Sequence, residues 1–154
     1  MANIALKDAT ISDSTATDHI TYKVNEQVDT GGGYYGQWGN YVPTYPIYDW
    51  VQHQTSATVK GETVSTVTNV TIQGKAPIVQ GDKTKENDSY NIPSGGTYVS
   101  GSHTNAQGTV TVGNSRNVFI NGKSVAIDGS TVTTHAGTSS KINGGTSSTV
   151  TIGS

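Results

Sequence analysis

The stretch NVTIQGKAPIVQGD, residues 69–82, returns in altered form as RNVFINGKSVAIDG, residues 116–129. Both copies run Asn-Val-x-Ile-x-Gly-Lys, continue through a short apolar run and reach Gly beside Asp. The end of the chain, TVTIG at 149–153, repeats the strand-like half of the phrase. Val-x-Ile alternation is the pattern of a half-buried strand, and a Gly-bearing pair after it marks a turn. A phrase written more than once in this way makes the chain an array of β units, each too small to bury its apolar face alone.

Working outward, the composition agrees. Gly accounts for 19 of 154 residues, and Leu occurs once, at Leu6. Val, Ile, Thr and Tyr dominate, which favours strands, while Gly, Asn, Asp and Ser supply turns. Short alternating segments recur, among them Ile20–Val24, Thr55–Val59, Thr109–Val112, Asn117–Ile120 and Thr149–Ile152. The expectation is a single all-β domain over 1–154, built from three short units with little room for a thick core. Insertions are expected at about 9–52 and 83–101. The first contains TGGGYYGQWGNYVPTYPIYDW, residues 30–50, with both Trp and five of the eight Tyr.

Charge excludes more than it suggests. A net charge of −2 with 13% charged residues leaves no basic footprint for nucleic acid. Absence of Cys removes disulfides and thiolate metal sites. The opening MANIALKDAT has no basic region leading into an apolar run, so synthesis in the cytoplasm without a signal peptide is expected.

The histidines fall in register with the repeat. Gly74 lies 21 residues after His53, Gly122 lies 19 after His103, and Gly153 lies 18 after His135. Each unit then begins with a His, passes through a Gly turn and ends on the Val-x-Ile strand. The opening IALKD, residues 4–8, reads as the exit strand of a first, truncated copy. Equivalent residues of three units around an axis converge, and three imidazoles meeting there make a metal site. Zinc accepts three His nitrogens and a fourth ligand, and ferrous iron is the second choice. His53, His103 and His135 are the expected ligands. His19, Asp82, Asp128 or water remain open as the fourth.

At this point the sequence resembles the PAAR-repeat spike-tip family. The resemblance rests on Val118, Ile120, Asn121, Gly122 and Lys123 in one phrase and on Val70, Ile72, Gly74, Lys75 and Pro77 in the other. It covers about 51–82 and 101–154, and 2–8 weakly. No literal Pro-Ala-Ala-Arg is present, and the Cys that completes the family's three-His zinc site is missing. The resemblance implies a small pseudo-threefold β cone that caps a trimeric spike, one tip per trimer, in a contractile phage tail, contractile injection particle or type VI secretion system. It implies piercing of a target cell envelope, no catalysis and no small-molecule substrate. The wide base would present Val70, Ile72, Val118, Ile120, Val150 and Ile152 to the trimer, or else these residues form internal core.

The aromatic stretch admits three readings: bracing the side of the cone, stacking on sugar rings, or touching a neighbouring protein. The sugar reading would make the chain a β-rich adhesin or glycan-binding module. An enzyme is not expected, because no nucleophile elbow, HExxH or carboxylate pair in a convincing context is present.

Overall fold

The repeated phrase forms the same turn twice. Gln73 and Gly74 sit at φ 53° and 78°, and Asn121 and Gly122 at 52° and 77°. Two consecutive positive φ values define the type I′ hairpin turn, whose twist matches the flanking strands and which favours Asn-Gly. Ile72 pairs with Lys75 across the first turn, and Ile120 with Lys123 across the second. The computed structural model describes residues 2–113 and 118–153, so Arg116 and Asn117 at the head of the second phrase lie outside the described residues.

The strands, in chain order, are β1 (Ala2–Ala5), β2 (Ser14–Asp29), β3 (Gly32–Tyr35), β4 (Tyr41–Thr44), β5 (Ile47–Val64), β6 (Lys83–Ser89) and β7 (Gly96–Ser100). They continue as β8 (Thr109–Val110), β9 (Phe119–Ile120), β10 (Lys123–Ser124), β11 (Thr131–Thr133), β12 (Ser139–Lys141) and β13 (Thr146–Ile152). The described residues are all-β, with no helix. Seven strands form one antiparallel sheet in the order β12-β11-β8-β6-β5-β2-β7. Three two-stranded pieces, β1-β13, β9-β10 and β3-β4, complete the fold.

The third copy of the phrase is split between the two ends of the chain. Ala2 pairs with Ile152 in β1-β13, as Lys75 pairs with Ile72 and Lys123 with Ile120. IALKD is therefore the exit strand of the last copy, not of a separate truncated one. The three exit strands then bond in a cycle. The Ala5 N–H donates to Ala126 O (2.9 Å), the Ala126 N–H to Ile78 O (2.8 Å), and the Ile78 N–H to Ala5 O (3.0 Å). Two residues on, Lys7, Gln80 and Asp128 donate to the carbonyls of Ala76, Ser124 and Asn3, closing a second cycle in the opposite sense, at 2.8, 2.8 and 2.9 Å. Each strand then turns through one positive-φ residue, Asp8, Gly81 or Gly129. Gly accepts that conformation freely, and Asp tolerates it better than most residues.

Two aliphatic clusters flank the ring. One gathers Ala5, Ala9, Ile11, Ile78, Val110, Ala126, Val132 and Ile142, all buried. The other gathers Ile4, Leu6, Val67, Val79, Val125 and Ile152, with Val70, Ile72, Ile120 and Ile127 packed against it half-buried. Followed from Gly74 to Asp88, the chain meets the turn, the ring, the aliphatic cluster and then a run of inward polar residues. Along β6, Thr84 and Glu86 are buried while Lys83, Lys85 and Asn87 face out.

The two expected insertions are partly woven into the main sheet. Residues 9–52 include all of β2, and residues 83–101 include β6 at the centre of the sheet. The part that leaves the sheet is the far end of the β2-β5 hairpin. Strand β7 pairs with β2 only over Thr21–Val24, so beyond Val24 two strands continue alone.

Candidate metal centre

Three histidines and one aspartate meet beyond the aliphatic cluster. His19 comes from β2, Asp88 from the inward face of β6, His103 from the segment between β7 and β8, and His135 from the turn after β11. One ligand atom from each lies within 4.8 Å of every other. The side chain of Asp88 is fully buried, those of His135 and His19 are 8% and 17% exposed, and that of His103 is 51% exposed.

Local structure explains why the four converge. β6 alternates strictly, which puts Glu86 and Asp88 on one inward face two residues apart. The segment carrying His103 reaches β2 because residue 101 is Gly: a Cβ there would stand 2.1 Å from the His19 carbonyl oxygen. His135 opens a tight turn in which Thr134 and Thr138 bond through both main chain and hydroxyls. Its backbone N–H donates to Glu86 Oε2 at 2.8 Å, and its Nδ1 lies 2.7 Å from the same oxygen.

That contact orients His135. A buried carboxylate beside Nδ1 fixes the ring and turns Nε2 into the site. Nε2 faces Asp88 Oδ1 at 3.2 Å, and both atoms are buried with no hydrogen-bond partner among the described residues. A buried polar atom left without a partner costs about 1–3 kcal/mol. A cation between them removes that cost. Asp88 Oδ2 lies 3.1 Å from His19 Nε2 and 3.2 Å from His103 Nδ1. Around a tetrahedral ion with bonds of about 2.0–2.2 Å, ligand atoms stand roughly 3.3–3.6 Å apart. The carboxylate-to-imidazole distances are close to that already, and the four ligand atoms, within 4.8 Å of one another, could hold one metal ion by drawing together by up to about 1 Å. Its chemistry, three nitrogens and one oxygen, suits a borderline divalent cation.

Electrostatics point the same way. Burial pushes the Asp88 carboxyl upward, but donation from the His103 N–H and ring, the nearby His135 and the His19 ring outweigh it. The carboxyl is held below its usual range and stays ionised, as a ligand must.

The sequence-predicted ligands divide. His103 and His135 are in the centre, and His19, expected only as a fourth ligand, is the third imidazole. His53 is not part of it: it sits on β5 opposite Tyr22, and its Nε2 lies 2.9 Å from Glu26 Oε1. The physical reason is the hairpin. The long excursion follows the first His instead of preceding it, so the residue that enters the first unit beside Ile20 is His19. Asp82 is buried but occupied, accepting from Thr66 and Val79 main-chain N–H groups and the Thr66 hydroxyl. Asp128 is exposed and away from the cluster. Asp88 and Glu86 were missed, although the alternation of KTKENDS, with Lys on one face and carboxylates on the other, carried the signal.

The expected base residues also divide. Ile152 is buried core, Val70, Ile72 and Ile120 are half-buried against it, and Val118 and Val150 are exposed. The aromatic stretch does not brace the body: Tyr35 is 77% and Trp38 88% exposed, on the β3-β4 hairpin and its connecting turn. No family model, curated protein or solved structure matches the chain.

Proposed function

We propose that the chain is the tip of a membrane-piercing spike, a small cone with one metal ion held by His19, Asp88, His103 and His135. The observation that carries this reading is the cyclic set of backbone bonds through Ala5, Ile78 and Ala126. Three exit strands joined in a cycle give one chain a face with threefold character, which suits the blunt end of a trimeric spike in a ratio of one to three. Val118 and Val150, with the half-buried Val70, Ile72 and Ile120, supply apolar area on the turn side of that ring.

The metal supports the reading from the other side. A narrow end of a cone has little volume for aliphatic core, and carboxylates and imidazoles around an ion would hold it together instead. A structural ion bound by four side chains from four segments ties them together where burial cannot. Zinc is favoured over iron, because three imidazoles and one carboxylate fill a closed tetrahedral site. Asp88 would supply the fourth ligand in a chain without Cys. The chain then works without catalysis, as part of a phage tail or contractile injection particle, and meets the target envelope transiently.

The test is co-purification with a trimeric spike protein encoded beside it. One chain per trimer, weakened by Val118→Asp with Val150→Asp, is expected. Failure to bind any such trimer would overturn the spike reading and leave the metal centre standing. A second reading, an adhesin that binds sugar, draws on the exposed aromatic hairpin alone. Specific glycan binding lost with Trp38→Ala, together with no trimer binding, would favour it.

A further inference from the structure

Strand β5 is 18 residues long, and it has a neighbour on both edges only in its second part. β2 lies along one edge, and β6 pairs with the other from Thr58 onward. Over residues 47–57 no strand borders that second edge among the described residues. An open edge of this length is a template for another strand, and proteins block such edges with Lys, Pro or a bulge. The stretch IYDWVQHQTSA, residues 47–57, contains no Lys, Arg or Pro. It is bounded by Pro46 on one side and, after Thr55, by the irregular register with β2 on the other. That window, 47–55, is centred on Val51.

A second copy of the same edge fits it. Two identical strands pair antiparallel about a twofold axis, so every contact occurs twice. Side chains that meet must share a face of the sheet, so the axis passes through one residue. With the axis at Val51, Asp49 of each copy stands opposite His53 of the other. With the axis at Trp50 or Gln52, Asp49 meets Val51 or Thr55 instead. The register that sets a carboxylate against an imidazole is therefore the one centred on the open window.

Both groups have bonding capacity to spare. His53 Nε2 lies 2.9 Å from Glu26 Oε1, which leaves Nδ1 without a partner among the described residues. Asp49 Oδ1 accepts from the Trp50 N–H at 2.7 Å, which leaves Oδ2. Within one copy Asp49 stands opposite Glu26, a like-charge pair, so a donor from the second copy relieves it. On the other face of the ribbon, Trp50 and Tyr48 are 49% and 61% exposed and would lie beside Gln52 and Gln54 of the second copy.

We propose that two copies of the chain join edge to edge through residues 47–55 of β5, antiparallel about Val51, with Asp49 of each against His53 of the other. The pairing goes beyond the spike reading, because it concerns the free chain and needs no trimer.

The experiment uses the whole metal-loaded chain. Sedimentation over a concentration series should show the mass rising from one chain to two. The chain has no Cys, so a single introduced one reports its own position. Under mild oxidation Val51→Cys should cross-link two copies faster than Trp50→Cys or Gln52→Cys, whose copies lie off the axis. Asp49→Lys and His53→Glu should each weaken self-association by about fivefold or more, with unchanged circular dichroism and metal content. An equimolar mixture of the two should restore it, because Lys then meets Glu and His meets Asp across the axis. A chain that stays single throughout, faster cross-linking at Trp50→Cys or Gln52→Cys, or a mixture no stronger than its components would overturn the proposal. Glycan or vesicle binding by a chain that never pairs would overturn it in favour of another occupant. Trimer binding is read in a separate assay, so either reading can fail alone.

Discussion

The ring end and the metal end bring separate chain segments together by opposite means. At the ring, Ala5, Ile78 and Ala126 are fully buried and joined by main-chain bonds, with aliphatic neighbours on both sides. Two sets of three backbone bonds close cycles there, so the loss of one bond leaves the others in place. At the other end, His19, Asp88, His103 and His135 converge with polar atoms left bare, and Glu86 orients one of them. Nothing there is redundant. Removing one ring contact disturbs packing, while removing one ligand disables a site.

That contrast orders the expected effects. Ala126→Leu forces extra methylenes into a fully buried position at the ring and should cost about 1–3 kcal/mol or more by urea unfolding. The cost should be the same with metal or with chelator. His135→Ala should abolish metal binding by calorimetry and bring the melting temperature in excess metal down to that of the chelated wild type. A metal present at about 100 times its Kd contributes about 2.7 kcal/mol, so that difference is measurable. A variant that keeps its metal would break the comparison.

Glu86→Gln keeps the size of the side chain but sets an amide NH2 where a carboxylate oxygen accepts from Thr84 or His135. Metal affinity should fall by about 10–100-fold, and metal-free stability by about 1–3 kcal/mol. The acid limb of metal-free stability sharpens the picture further. Asp88 has a lowered pKa, so its ionised form stabilises the fold above the unfolded value of about 3.9, and that contribution is lost as pH falls through the lowered one. Asp88→Asn should flatten this part of the profile in acid unfolding experiments. The smallest effect belongs to His53→Ala. Its pair with Glu26 is largely solvated, so less than about 1 kcal/mol should be lost and metal content should not change.

The two ends also differed in how legible they were. The ring is written in local code: Val-x-Ile alternation, an x-Gly turn and a small residue at the crossing are all readable from neighbours in sequence. The split third copy is legible only in part: IALKD reads as the exit strand of a separate first copy, and the pairing of Ala2 with Ile152 joins it to TVTIG. The metal end is written in long-range pairing. His19 and His53 both belong to the first unit, and only the β2-β5 register, with Ile20 opposite Thr55, shows which of them faces His103 and His135. Spacing to the next Gly favoured His53, because a hairpin of this length between a ligand and its own unit leaves no mark in spacing. Asp88 was hidden differently. A strand with carboxylates on its inward face contradicts the rule that strands bury apolar residues, and such a contradiction is itself the sign of a site.

The most direct measurement is metal content by elemental analysis on the untagged chain, with His19→Ala and His53→Ala prepared in parallel. About one ion per chain in the wild type and in His53→Ala, and none in His19→Ala, is the expected result. Loss of metal in His53→Ala with retention in His19→Ala would contradict the centre described here, and so would a wild-type chain that binds no metal at all.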